Sequence, residues 1–107
     1  MRNIKELFDK GLAVLPVEIR GAKKDSFSYV SKKTGLKVEV HLVRLSLEVE
    51  VLGNIESADG SIDQVEVPAW AARGARMWIG CSEVKRENRR MVCRIVEAIP
   101  EKETVKV

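Results

Sequence analysis

Metal-binding and nucleophilic chemistry is scarce in this sequence. Its two cysteines, Cys81 and Cys93, and its single histidine, His41, fall short of a four-ligand zinc site. It has no nucleophile elbow and no phosphate-cradling glycine loop. The acidic residues Glu48, Glu50, Glu56, Asp59, Asp63 and Glu66 lack the EF-hand spacing. These absences argue against an enzyme and against a metal or other cofactor. No apolar run approaches the length that crosses a membrane. The opening residues carry Glu6 and Asp9 ahead of the short apolar GLAVLPV, whereas a secretory signal needs a basic start and a longer apolar core. A reducing cytoplasm is the expected setting, with both cysteines as buried thiols. Aromatic residues are few: Phe8, Phe27, Tyr29, Trp70 and Trp78.

Charge is abundant and unevenly spread. The net charge of +3 is too mild to diagnose a nucleic-acid binder. From Arg20 to Arg44 there are seven basic residues and two acidic ones. From Leu45 to Ala72 there are six acidic residues and no basic one, and from Arg73 to Arg94 again seven basic against two acidic. Segregation by segment predicts a basic face and an acidic, DNA-repelling face.

Period-2 patterning dominates the chain and predicts half-buried strands. The organising stretch runs from Ser26 to Leu52. Leu36, Val38, Val40 and Leu42 alternate, the phase slips by one, and alternation resumes through Val43, Leu45, Leu47, Val49 and Val51. A bulge or a sharp coil is expected at the slip. Before it, residues 13–30 form one bulged strand or a strand and a short hairpin, and SKKTG makes a tight connection at Gly35. After it, GNIESADGS reads as a polar loop and Val65, Val67 and Ala69 as a short third strand. RMWIGCSEV and MVCRIVEAI follow as a hairpin around KRENRR. An odd loop there would set Cys81 opposite Cys93, and an even one would turn Val92, Val96 and Ala98 inward. NIKELFDK, capped by Asn3 and stopped at Gly11, predicts a short helix packing through Ile4, Leu7 and Phe8. The expected organisation is a helix over 1–12, a barrel over 13–100 and a flexible tail over 101–107.

Strand, strand, strand, connector, strand, strand is the order of a mainly β, five-stranded OB-fold-like barrel with a short N-terminal helix. In such barrels the 1–2 and 4–5 loops border an oligonucleotide groove. Lys32 and Lys33 fall on the first of these loops. Lys85, Arg86, Arg89 and Arg90 fall on the second.

From Phe27 to Glu101, and above all in GARMWIGCSEVKRENRRMVCRIVEAIPEK, the chain resembles the single-stranded-DNA-binding proteins of filamentous phages, the gene V type. That resemblance implies an OB-fold, sequence-independent binding of single strands, and a two-fold dimer. The chain differs in its N-terminal helix and in having one tyrosine where that family stacks bases on several.

Binding a single strand without reading its sequence takes a cationic track for phosphates and flat side chains for bases. The track candidates are Lys23, Lys24, Lys32, Lys33, Lys37, Arg44, Arg73, Arg76, Lys85, Arg86, Arg89, Arg90 and Arg94. Phe27 and Tyr29, two apart and so on one strand face, are stacking candidates with Trp78, beside Arg76 and Arg94 in the expected register; Trp70 is a fourth. The expected partner is single-stranded DNA, with RNA also open, and a homodimer is expected. The competing reading is a small barrel that docks a protein through its Trp70–Trp78 surface and binds no nucleic acid.

Overall fold

The computed structural model describes residues 4–101, so the expected cap at Asn3 and the tail over 102–107 lie outside the described residues. Helix α1 spans Ile4–Asp9. Strands follow at Ala13–Val30 (β1), Lys37–Val51 (β2), Asn54–Ile62 (β3), Arg76–Glu87 (β4) and Arg90–Pro100 (β5). Gly11, at φ +74°, ends the helix. The Leu12 amide donates to the Leu7 carbonyl and the Gly11 amide to that of Phe8, a Schellman close. Leu7 is fully buried, whereas Phe8 stays 58% exposed, so the helix docks through Leu7 and not through the Ile4–Leu7–Phe8 face expected. It lies over β4, where a Cβ on Gly80 would come within 2.9 Å of Leu12 Cδ1 and 3.1 Å of Leu7 Cδ2.

The five strands close in the order β1-β2-β3-β5-β4, with β3 and β5 parallel and every other pair antiparallel. β1 makes closure possible by serving two partners. Its first residues pair with β4 (Ala13↔Cys81 to Glu18↔Arg76), and from Val17 onward it pairs with β2. The register shifts between Ile19 and Gly21, the single bulged strand being one of the two forms expected. The bulge adds the local twist that lets one strand turn between two parts of the sheet. Val17, Ile19, Val43, Leu45, Leu47, Val49, Ala58, Ile62, Met77, Ile79, Cys81, Met91, Cys93 and Ile95 fill the interior.

The third strand is not where the pattern puts it. GNIESADGS is not a loop: Asn54–Ile62 is β3, paired with β2 on one side and β5 on the other. Val65, Val67 and Ala69 belong to an irregular segment between β3 and β4. The misleading residues are Ala58 and Gly60, which face the interior where larger neighbours cross. A Cβ at Gly60 would meet Ile95 Cδ1 at 2.9 Å and Leu47 Cδ1 at 3.0 Å. A small residue demanded by packing resembles a turn signal.

The phase slip at Leu42/Val43 is also not a bulge, because the β1–β2 register runs through it unbroken. β3 pairs with β2 only from Val43 onward. Residues before Val43 therefore leave the barrel as a two-stranded ribbon with β1. On the barrel the inner face is apolar; on the ribbon the apolar set Val38, Val40 and Leu42 continues the outer face.

Across β4–β5 the connection is the two-residue turn Asn88–Arg89, both at positive φ. This even loop does not turn Val92, Val96 and Ala98 inward as a set. Met91, Cys93 and Ile95 are buried, Ala98 is buried, and Val96 is exposed. Two register shifts flanking Cys81 reset the phase. They leave Cys81 opposite Ile95 yet in hydrogen-bonding reach of Cys93, and both cysteines are free and buried. The hydrogen bond to Cys93 and burial push the Cys81 thiol up, so it stays protonated at neutral pH.

Candidate nucleic-acid interface

Residues directly opposite in paired strands project to the same face. The registers therefore fix the rows that cross the outside of the barrel. One row reads Lys23, Arg44, Ser61, Arg94, Glu83, and the next Gly21, Ser46, Asp59, Val92, Lys85. Continuing onto the ribbon come Asp25 with Leu42, Phe27 with Val40, and Tyr29 with Val38. Two depressions lie on this face. One of about 270 Å³ is bordered by Phe27, Val40, Leu42, Lys85 and Arg94. The other, of about 650 Å³, is bordered by Lys23, Ser46, Asp59, Gly60 and Glu87. Arg44 and Val92 line both, so they form one groove.

The 31–36 connection stands at the far end of the ribbon. The Ser31 amide donates to the Leu36 carbonyl (2.9 Å) and the Gly35 amide to that of Ser31 (2.8 Å), with Gly35 at φ +71°. This closure leaves Lys32 and Lys33 exposed at its tip. Phe27 and Tyr29 are 49% and 52% exposed on the groove side of the ribbon. For apolar rings on a strand this is unusual, and it leaves flat surfaces open to a ligand.

Acidic and basic residues far apart in sequence meet on this surface. Arg90 makes a forked contact with Asp59 (2.8 and 3.0 Å), and Arg94 reaches Asp63 at 2.9 Å. Arg86 forks to Glu56 (2.8 and 3.1 Å) at the barrel end, and Arg44 pairs with Asp25. Lys85 lies 2.9 Å from Glu87 and 3.5 Å from Glu83. The Arg44 guanidinium holds the Asp25 carboxyl below its ordinary value. Asp59 and Asp63 raise Arg90 and Arg94 in turn, and Glu87 raises Lys85. The expected separation into a basic and an acidic face is therefore corrected. The middle of the acidic run, Glu56 and Asp59, lies on β3 with Asp63 just past its end, and the parallel β3–β5 pairing lays this part against the basic run. Among the described residues, Lys32, Lys33 and Lys37 around the first loop and Arg89 at the second have no carboxylate partner within 4.0 Å.

Of the residues singled out from sequence, Lys23, Phe27, Arg44, Lys85 and Arg94 line the groove. Tyr29 extends it along the ribbon to Lys32 and Lys33 at the tip, and Arg86, Arg89 and Arg90 stand at the β4–β5 end; Lys37, opposite Val30, projects to the other side of the ribbon. Lys24 projects to the other side of the ribbon and pairs with Glu66 at 2.7 Å. Trp78 stands apart. It is opposite Pro16 on one side and Ile99 on the other, and it lines a separate hollow with Arg76 and Glu101. Arg94, opposite Glu83, is well down β5 from it, so the Trp78–Arg94 proximity expected from sequence does not form. Trp70 packs partly on the core. Among the groove residues not foreseen are Asp59, Asp63 and Val92. Finding them requires the β3–β5 pairing, which local pattern does not carry.

A closed barrel in the order 1-2-3-5-4, with long 1–2 and 4–5 hairpins flanking a groove over strands 2 and 3, is an OB-fold. Among solved structures, the chain is similar to the second OB-fold domain of replication protein A from Methanococcus maripaludis, determined in solution by NMR. The identity is 17%, the TM-score is 0.50, and the match covers 89% of this chain and 88% of that one. At that identity the likeness is one of fold. No family model and no curated protein matches the chain.

Proposed function

We propose that the protein is a non-enzymatic binder of single-stranded nucleic acid, DNA in the first instance, with little regard for sequence. The observation that carries this reading is the groove itself: exposed Phe27 and Tyr29 on one face of the ribbon, continuous with a floor that holds Lys23, Arg44 and Arg94. Bases stack on the two rings because every base has a π-face. Phosphates run past Lys32 and Lys33 and on towards Arg89. The structural neighbour is a domain of a replication protein, which is in keeping with this reading.

The test is titration of a fluorescein-labelled oligothymidylate, with the same-length duplex alongside, at two salt concentrations. Binding favours the single strand and weakens as salt rises. Phe27→Ala weakens it by about 1–3 kcal/mol, the usual worth of one stacked base. Lys32→Ala with Lys33→Ala flattens the salt slope by about 0.7 for each phosphate that is no longer neutralised. Equal, weak binding to both oligonucleotides overturns the reading. A homodimer belongs to the same proposal. Beyond the barrel β1 and β2 each have one unpaired edge, where a second copy can add strands, and sedimentation tests this.

The alternative, a protein-docking barrel, rests on the apolar hollow of about 620 Å³ beside Trp70, Met77 and Pro100. It predicts no appreciable affinity for either oligonucleotide.

A further inference from the structure

The groove is furnished with cations that are already engaged. Arg44, Arg90 and Arg94 face outward there, and each has its guanidinium on an aspartate from a neighbouring strand or its end: Asp25, Asp59 and Asp63. None of these carboxylates is needed to neutralise a buried charge. All three arginines and their partners are solvent-accessible, and no polar residue is buried among the described residues. The arginines recur at every fourth residue of the hairpin (Arg86, Arg90, Arg94), opposite acidic residues about thirty positions earlier. The forked contact of Arg90 on Asp59 uses the geometry in which a guanidinium grips a phosphate.

We infer that Asp25, Asp59 and Asp63 are affinity-determining residues that hold, as intramolecular competitors, the guanidinium groups a nucleic-acid phosphate takes on binding. This rests on the proposed single-strand binding and assigns how its strength is set. A phosphate reaching Arg90 or Arg94 displaces a carboxylate and does not meet a free cation. The displaced carboxylate then gathers a cation from solution, which offsets the counterion that the phosphate releases. The exchange has two consequences. Affinity is lower than the count of basic residues implies, and its fall with salt is shallower. The strand is gripped first by Lys32, Lys33 and Arg89, which have no carboxylate partner among the described residues, and the aspartate-held arginines yield afterwards.

The experiment compares wild type, Asp59→Asn, Asp63→Asn, the double variant and Glu50→Gln by anisotropy on a labelled oligothymidylate across a salt series. Glu50 is an exposed residue of β2 that lines the hollow beside Trp78 and not the groove. Its substitution makes the same change in net charge as either aspartate variant. Each aspartate variant is expected to bind about threefold more tightly, the scale of one exposed ion pair. The salt slope steepens by up to about 0.7 for each arginine released from exchange. Glu50→Gln leaves the slope unchanged. Thermal melts confirm that each variant is folded.

A wild-type protein that binds no oligonucleotide overturns the functional proposal and this inference with it. A wild type that binds, with aspartate variants no tighter and no steeper, overturns the inference alone. So does a gain of the same size in Glu50→Gln, which assigns the effect to bulk charge. Weaker binding in folded aspartate variants overturns it too and makes the carboxylates positioning residues for the arginines.

Discussion

At the scale of single residues, the two tight turns carry opposite implications. Leu52–Gly53 and Asn88–Arg89 both have positive φ at both positions, the geometry for which Asn-Gly is the favoured pair. Leu52, 97% exposed at φ 51°, and Arg89, at φ 66°, are the misfits. Leu52→Asn and Arg89→Gly each create Asn-Gly, and each should stabilise the protein by about 0.5–1 kcal/mol in chemical denaturation. They part company in binding. Leu52→Asn should leave oligonucleotide affinity as it was, whereas Arg89→Gly should lower it, since it removes a cation from the β4–β5 end of the proposed track. Gly60 is the counter-case in the core. Gly60→Val drives a side chain into Ile95 and Leu47 and costs about 1–3 kcal/mol of stability by the same measurement.

At the scale of elements, legibility followed locality. β2 could be read from its alternation, and its break at Leu42/Val43 marks where β3 stops covering it. The 31–36 turn and the existence of the β4–β5 hairpin were legible because the paired strands are adjacent in sequence. The pattern over 13–30, by contrast, leaves open one bulged strand or a strand with a short hairpin, since its second partner, β4, is distant. β3 was not, since of its inward positions Ala58 and Gly60 are small and only the last, Ile62, is a large apolar residue, while Asp59 and Ser61 face outward; one large side chain makes no alternation. Val65 and Val67 alternate and form no strand, because hydrophobic patterning says nothing without a partner edge. Half of the groove was visible for the same reason. Phe27, Tyr29 and the loop lysines lie on one hairpin, but the carboxylates that temper Arg90 and Arg94 arrive through a parallel pairing some thirty residues away. Helix α1 is a separable element. Gly80→Val removes the room that Leu7 and Leu12 occupy, so the helix should undock. Amide exchange over residues 4–9 rises in that variant while protection in β2 persists.

At the scale of the molecule, the buried core and the proposed binding surface occupy different regions. No residue between Arg20 and His41 belongs to the buried core, although this stretch supplies the exposed rings of Phe27 and Tyr29 and the lysine loop. Replacing Ser26–His41 with Asn-Gly, which joins the opposed pair Asp25 and Leu42, should leave the barrel folded and its melting temperature within about 5 °C of the parent. Single-strand binding should disappear. Circular dichroism and anisotropy on one preparation check both halves of the statement.

The order of pairings has a further consequence. β1, β2 and β3 are successive antiparallel neighbours, and β4 and β5 form their own hairpin, so the ring consists of two locally built pieces joined along β1–β4 and β3–β5. The chain between them passes through Val65, Glu66 and Val67, all exposed. A protease site placed there would divide the protein into a three-stranded sheet and a two-stranded wedge, each with two bare edges that only the other matches. Such halves should find one another in solution and rebuild the groove, whose residues come from both. The same architecture that closes a barrel makes it divisible, and nucleic-acid binding should reappear only when the halves are mixed.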